Sequence, residues 1–156
     1  MANYLLGDEA LLAFLHGRHV KQPSKEDAKF AEWAKNLGKE DFLFASRMSA
    51  AVILASIERI NKPARRDATR KEIESRLASF KDSLIDIDET ILKQWAVLRA
   101  NQPDPTAGAV SVISAEQNVE LATALTLGYT LVTRGNAELT KLQSDNPALQ
   151  IIDPWV

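Results

Sequence analysis

The chain has 156 residues, of which 46% are hydrophobic and 26% are charged, and its net charge is −2. This is the balance of an ordinary globular protein, and it does not by itself indicate a polyanion-binding protein. The absence of cysteine excludes disulfides, thiolate chemistry and a cysteine-based zinc site. No stretch approaches the roughly 20 apolar residues of a membrane span, and no signal-peptide pattern opens the chain. We therefore expect a cytoplasmic protein without a membrane partner.

The first half of the chain alternates short apolar runs with helical patterns. Residues 4–6 (Y-L-L) predict a buried strand, Gly7 breaks it, and residues 10–15 carry the apolar stripe of a helix that ends near Gly17. Ser24 is suited to cap a second helix, which closes at Gly38. Further patterns predict a strand over 41–45, a helix over 49–60, a helix over 67–80 and a strand over 83–87.

The second half continues the alternation. A helix is predicted over 89–98, and Ser114 and Gln117 form a capping-box pattern for a helix that ends at Gly128. The remaining elements are a strand over 129–133, a helix over 137–142 and a strand over 149–152. This order predicts a three-layer α/β/α sandwich with a mostly parallel central sheet, as one domain over 1–156.

Three blocks of the sequence resemble the PIN-domain ribonucleases, specifically the VapC-type toxins of toxin–antitoxin pairs and their FitB-like branch. Residues 4–11 (Y-L-L-G-D-E-A-L) are similar to the family's opening L-L-D-T-N-V-L. Residues 122–134 are similar to its I-A-A-T-A-L…G-x-T-L-V-T-R-N, and the ending D-P-W is similar to its N-P-W tail. The resemblance implies a PIN-like fold and a homodimer that binds a small antitoxin-type protein.

The activity that this resemblance implies depends on carboxylates. They hold one or two Mg²⁺ or Mn²⁺ ions, which activate a water and stabilise charge on the scissile phosphate of RNA. Carried over one at a time, four ligand positions of the family fall on residues without a carboxylate, namely Gly7, Val52, Gln117 and Gly135. Neutral side chains do not hold such hard cations. The resemblance therefore implies a PIN-like domain that has lost its metal site and needs no metal cofactor.

Other residues of the implied cleft keep polar side chains. The family's threonine falls on Ser49, which retains a hydroxyl, and the family's asparagine falls on Glu9. The V-T-R segment supplies Thr133 and Arg134.

Acidic residues near the four positions leave an alternative open, a divergent Mg²⁺- or Mn²⁺-dependent ribonuclease that uses Asp8, Glu58, Glu116 and Glu138. Asp8 is one residue past Gly7, so on an extended backbone its side chain would turn to the opposite face. Glu116 is about 100° from Gln117 on a helix, and Glu58 is roughly 9 Å along a helix axis from Val52. Glu138 matches a further acidic position of the family, although a solvated surface glutamate is the simpler interpretation.

The helix predicted after Pro63 is locally basic. Its cations are interspersed with Asp67, Glu72 and Glu74, and such a charge run is usually a solvated face. An RNA-contacting or partner-binding face is the alternative interpretation. The cations are Arg65, Arg66, Arg70, Lys71, Arg76 and Lys81.

The sequence thus favours a pseudo-nuclease that binds an antitoxin-type partner, or nucleic acid without cleavage. A divergent ribonuclease and a regulatory subunit unrelated to toxins are the other hypotheses.

Overall fold

A five-stranded parallel sheet forms the centre of the computed structural model, which describes residues 1–16, 24–108 and 113–156. The strands lie in the order β3-β2-β1-β4-β5, and every pair is parallel. They are β1 (Asn3–Leu6), β2 (Phe42–Ser46), β3 (Leu84–Ile85), β4 (Thr130–Val132) and β5 (Gln150–Ile152).

Helices connect and cover these strands. The two short 3-10 turns are Lys81–Ser83 and Pro105–Ala107. Helix α4 begins at Pro63 rather than at Asp67, because proline is well suited to the first helical position. The predicted cap Gly17 lies outside the described residues. The helices are α1 (Asp8–His16), α2 (Lys25–Lys35), α3 (Arg47–Glu58), α4 (Pro63–Ser79), α5 (Glu89–Ala100), α6 (Ala115–Leu127) and α7 (Ala137–Asp145).

Two apolar clusters lie on the two faces of the sheet. Leu5 and Leu6 are adjacent on β1 and fully buried, and they belong to different clusters because successive strand residues point to opposite faces. The cluster of Leu6 includes residues of α1 to α4, and the cluster of Leu5 includes residues of α5 to α7. This arrangement confirms the predicted three-layer α/β architecture.

Several predicted helix ends are confirmed. The Ser24 hydroxyl accepts a hydrogen bond from the Asp27 amide at 3.1 Å, and the Ser114 hydroxyl accepts one from the Gln117 amide at 3.0 Å. Gly128 ends α6 in the left-handed conformation at φ 68°, which favours glycine. No helix within the described ranges is long and apolar enough to cross a bilayer.

Candidate functional site

A polar cleft lies where β1 and β4 end and where α1, α6 and α7 begin. Its volume is about 270 Å³. In a parallel sheet this edge, at the carboxyl ends of the strands, is the usual place for ligands. The cleft is lined by Asp8, Glu9, Ser114, Glu116, Gln117, Glu120, Thr133, Arg134, Gly135 and Asn136.

Glu120 forms the inner wall of this cleft and is only 2% exposed. It lies on α6 among buried neighbours that run from Asn118 to Ala124. Its Oε1 accepts a hydrogen bond from the Asp8 amide at 2.8 Å and another from the Ser49 hydroxyl at 3.0 Å. One carboxyl oxygen therefore joins the start of α1, the first turn of α3 and the middle of α6.

The Ser49 hydroxyl is itself held in place by Ser46, which caps α3. The Ser46 hydroxyl accepts a hydrogen bond from the Ser49 amide at 3.0 Å, and the two hydroxyl oxygens are 3.1 Å apart. Both side chains are buried. The hydroxyl predicted at Ser49 thus contacts the carboxyl of Glu120, although Ser49 itself does not line the cleft.

Burial raises the pKa of Glu120 to about 8, because the charged carboxylate loses its hydration. The negative charges of Asp8 and Glu9 raise this pKa further, and the hydrogen bonds from the Asp8 amide and the Ser49 hydroxyl oppose the shift. At pH 7 the Glu120 side chain is therefore mostly a neutral carboxylic acid.

The Glu120 carboxyl lies in the space next to Gly7. A Cβ atom at position 7 would lie 3.0 Å from Glu120 Oε2 and 3.2 Å from the carbonyl oxygen of Val132. The Gly7 amide donates a hydrogen bond to the Val132 carbonyl oxygen at 3.0 Å. Pairing of these two segments therefore brings the Val132 oxygen close to position 7. Glycine at position 7 leaves room for a carboxyl group that comes from α6 instead of β1.

Asp8 and Glu116 also reach the cleft, as does Gln117. The side chain of Asp8 does not turn to the opposite face as an extended backbone would require, because α1 begins at Asp8. Glu116 and Gln117 lie side by side in the first turn of α6, with Glu116 exposed and Gln117 half-buried. With Glu9, the cleft therefore has four carboxyl groups, of which only Glu120 is buried.

Val52, Glu58 and Glu138 do not line the cleft. Val52 is half-buried in the middle of α3. Glu58 ends that helix, and its Oε1 accepts hydrogen bonds from Arg70 at 2.6 and 2.9 Å. Glu138 is exposed in the first turn of α7.

Arg134 forms the rim of the cleft. Its guanidinium donates to Glu9 at 2.7 Å and to Glu26 at 2.8 Å, which links the segment after β4 to α1 and α2. The same guanidinium lies 4.6 Å from the centroid of the Trp155 ring, which in turn stacks on Phe30 at 4.8 Å. The rim cation is therefore held by two ion pairs and one aromatic face.

The segment after Arg134 is bound by the C-terminal tail. The Asp153 carboxylate accepts hydrogen bonds from the Gly135 amide at 2.7 Å and from the Trp155 amide at 2.9 Å. Thr133 is buried, and its amide donates to the Ile152 carbonyl at 3.1 Å. Gly135 lies on the cleft, and the carboxylate nearest to it is that of the tail.

The described carboxyl groups of the cleft are not grouped as a ready-made Mg²⁺ or Mn²⁺ site. Mg²⁺ requires near-octahedral oxygen ligands at about 2.1 Å, whereas Glu120 is mostly protonated at pH 7 and one of its oxygens already accepts two hydrogen bonds. Within the described ranges, no three histidine or acidic side chains are grouped so that they could hold a metal ion.

Sequence reasoning did not identify Glu120. When A-T-A of the motif D-x-x-I-A-A-T-A is placed on residues 122–124, Glu120 falls on the motif's isoleucine. A lone acid in the apolar run from Val119 to Leu125 was a signal that this helix buries a carboxyl group. The partners of that carboxyl come from distant parts of the chain, and they were not visible in the sequence.

The fold is that of several solved toxin–antitoxin structures. FitAcB from Neisseria gonorrhoeae aligns with a TM-score of 0.71 and 20% identity over 97% of this chain and 98% of that one. VapBC2 from Rickettsia felis, bound to a promoter DNA fragment, aligns with a TM-score of 0.65 and 17% identity over 97% and 98%. VapBC-5 from Mycobacterium tuberculosis, a member of the VapBC family of toxin–antitoxin systems, aligns with a TM-score of 0.60 and 13% identity. This alignment covers 98% of this chain and 99% of that one.

No family model and no curated protein matches the sequence. At these identities the structural likeness establishes the shared PIN-like fold, and the resemblance seen in the sequence is confirmed at that level.

Proposed function

We propose that this chain is a toxin-type PIN protein whose metal-dependent ribonuclease centre has been replaced by a neutral, hydrogen-bonded core. It acts by binding, with a small antitoxin-type protein as its partner and RNA as a ligand that it does not cleave. No divalent metal ion is needed for either interaction.

The observation that carries this proposal is the exchange between Gly7 and Glu120. The family's position for a metal-binding aspartate on β1 is a glycine, and a buried carboxyl from α6 lies 3.0 Å from where its Cβ would be. A carboxyl with a pKa of about 8 must release a proton when it binds a metal ion, which weakens metal binding at neutral pH. In this proposal, a neutral carboxyl group from α6 occupies the space of the family's metal-binding aspartate. The fold is kept, and the negative charge that would bind a metal ion is lost.

The partner is proposed from the fold and from the known complexes. The solved structures with this fold include FitAcB and VapBC-5, and the latter belongs to the VapBC family of toxin–antitoxin systems. The alignments span 97–98% of this chain, which supports the proposal of a similar kind of partner. A homodimer and a cytoplasmic location complete the proposal, and light scattering is expected to give twice the chain mass of 17.2 kDa.

A divergent ribonuclease is the second candidate, and one observation favours it. Asp8, Glu116 and Glu120 line the same cleft, so a rearranged set of carboxyl groups exists even though Glu58 and Glu138 are elsewhere. This candidate requires Glu120 to lose its proton and to reorient away from Ser49 and the Asp8 amide.

Titration calorimetry with Mn²⁺, combined with an RNA cleavage assay, separates the two candidates. We expect no saturable heat of Mn²⁺ binding at pH 7, and RNA that stays intact with Mg²⁺, Mn²⁺ or EDTA. Asp8→Asn and Glu116→Gln are the matched variants, since each removes one cleft carboxylate and leaves Glu120 unchanged.

Mn²⁺-dependent cleavage by the wild-type chain that Asp8→Asn abolishes would contradict the pseudo-nuclease and favour the divergent ribonuclease. Failure of the purified chain to form a complex with any small antitoxin-type protein that is co-expressed with it would contradict the antitoxin-type partner.

A further inference from the structure

The turn between α3 and α4 concentrates positive charge in a chain that is otherwise acidic. Residues 59–71 contain six cations and one acid, which is a net charge of +5. Because the whole chain has a net charge of −2, the remainder carries −7. A long-range field of this polarity attracts an anionic partner to one region of the surface.

Four of these cations form what we call the basic corner, namely Arg59, Lys62, Arg65 and Arg66. Helix α3 ends at Glu58 and α4 begins at Pro63, so a four-residue turn brings Arg59 and Lys62 next to the first turn of α4. Lys62 is the N-cap of α4, and Arg65 and Arg66 follow three and four residues later in the first turn of that helix.

The cations of the basic corner are not neutralised by the chain itself. Within the described ranges, the ion pairs of α4 involve Arg70, which binds Glu58 and Asp67, and Arg76, which binds Glu72. Arg59, Lys62 and Arg65 are exposed and form no ion pair with any described residue. Arg66 is half-buried, and its Nε has no hydrogen-bond partner among the described residues.

This arrangement does not favour the isolated fold. Arg66 and Arg70 are like charges four residues apart on α4, and such a pair is unfavourable in a helix. Arg65 and Arg66 also occupy the first turn of α4, where the helix dipole disfavours cations and where no acidic residue is present. An anionic ligand would offset these unfavourable terms.

We propose that the basic corner binds the phosphodiester backbone of a nucleic acid, at a surface separate from the cleft. Three of its four cations are arginines, whose planar guanidinium groups match phosphate oxygens in pairs. None of the exposed large hydrophobic residues of the described chain lies within 59–71. A protein interface would be expected to include such an anchor, whereas a nucleic-acid interface is polar and positive.

None of the residues that line the cleft belongs to the basic corner. This inference rests on the proposed function only for its RNA-binding part, and it does not depend on whether the cleft holds a metal ion.

Fluorescence anisotropy in EDTA tests the inference, with a labelled RNA hairpin and a DNA duplex of equal phosphate number as probes. The double variant Lys62→Gln/Arg65→Gln is compared with Lys25→Gln/Lys29→Gln, which removes two exposed lysines from α2. We expect the corner variant to bind at least about tenfold more weakly at roughly 100 mM salt. Its slope of log K against log salt should fall by about 1.4–1.8, and the control should change little.

Equal losses in both double variants would overturn the proposal, as would the absence of wild-type binding at about 50 mM salt. Displacement of the probes by polyglutamate at equal charge would assign the corner to an acidic protein instead. Stronger binding of RNA or of DNA identifies which nucleic acid the surface prefers. Because EDTA prevents metal-dependent cleavage, these outcomes are independent of those that test the pseudo-nuclease.

Discussion

The inner wall and the rim of the cleft hold their charged groups in opposite ways. Glu120 on the inner wall is 2% exposed, neutral at pH 7 and bound by an amide and a hydroxyl. Arg134 on the rim stays charged and forms ion pairs with Glu9 and Glu26, whose side chains are 59% and 63% exposed.

Burial accounts for this difference. An isolated charge is costly to bury, so Glu120 keeps its proton, while a charge near water keeps most of its hydration. Substitution of groups on the inner wall should therefore change the free energy of unfolding by up to several kcal/mol. Substitution of groups on the rim should change it by less than about 1 kcal/mol.

Removal of the titratable group at Glu120 is expected to have the largest effect. The folded pKa of about 8 is above the ordinary value of 4.5, so between these pH values the folded chain holds a proton that the unfolded chain has released. Stability therefore falls as pH rises through this window, by about 5 kcal/mol in total, and the loss is absent below it. Glu120→Gln should lack this loss and should gain stability relative to wild type as pH rises from 5 to 8.5.

Urea unfolding of both proteins at several pH values measures the difference. Glu116→Gln is the matched control, since it removes an exposed carboxylate four residues earlier on the same helix. Parallel curves for wild type and Glu120→Gln would show that Glu120 is ionised in the folded state.

Introduction of a side chain at Gly7 should have an intermediate effect. Gly7→Ala places a Cβ 3.0 Å from Glu120 Oε2 and 3.2 Å from the Val132 oxygen, and such overpacking destabilises by about 1–3 kcal/mol. In a Glu120→Ala background one of these close contacts is absent, so the loss should shrink by about 1 kcal/mol. Urea unfolding at pH 5, where Glu120 is protonated, separates this packing effect from charge.

Gly135→Ala provides the comparison for this cycle. Its Cβ would lie 3.4 Å from the Asp153 carboxylate, which is an ordinary contact, and its effect should add to that of Glu120→Ala. Additive effects of Gly7→Ala and Glu120→Ala would mean that the two positions do not share one space.

Loss of a rim ion pair should have the smallest effect. Glu26→Gln removes one of the two partners of Arg134 and leaves the Glu9 pair and the Trp155 contact in place. Because the pair is exposed, we expect a loss of about 0.2–0.5 kcal/mol, or about 1–2 °C in Tm. Calorimetric melting should show this shift at low salt and little of it at about 0.5 M NaCl. A loss of stability that persists at high salt would mean that this ion pair is shielded from solvent, as the contacts of the inner wall are.

The order of the helices and strands, and much of their local chemistry, could be predicted from the residues alone. Hydrophobic periodicity located every strand, and the caps at Ser24, Ser114 and Gly128 form through contacts within a few residues. The four family positions without a carboxylate were implied by the resemblance to the family, and they stay a prediction. These features depend on local spacing, which the chain carries without its fold.

Only the tertiary structure decided how the cleft is built. The start of α1 at Asp8 brings that carboxylate into the cleft, although one residue of strand geometry would have turned it away. Glu120 matters because residues 112 and 71 positions away in sequence donate to it. Its proton is held by burial that depends on packed helices. The scaffold follows from local pattern, and the state of its central carboxyl follows from long-range contact.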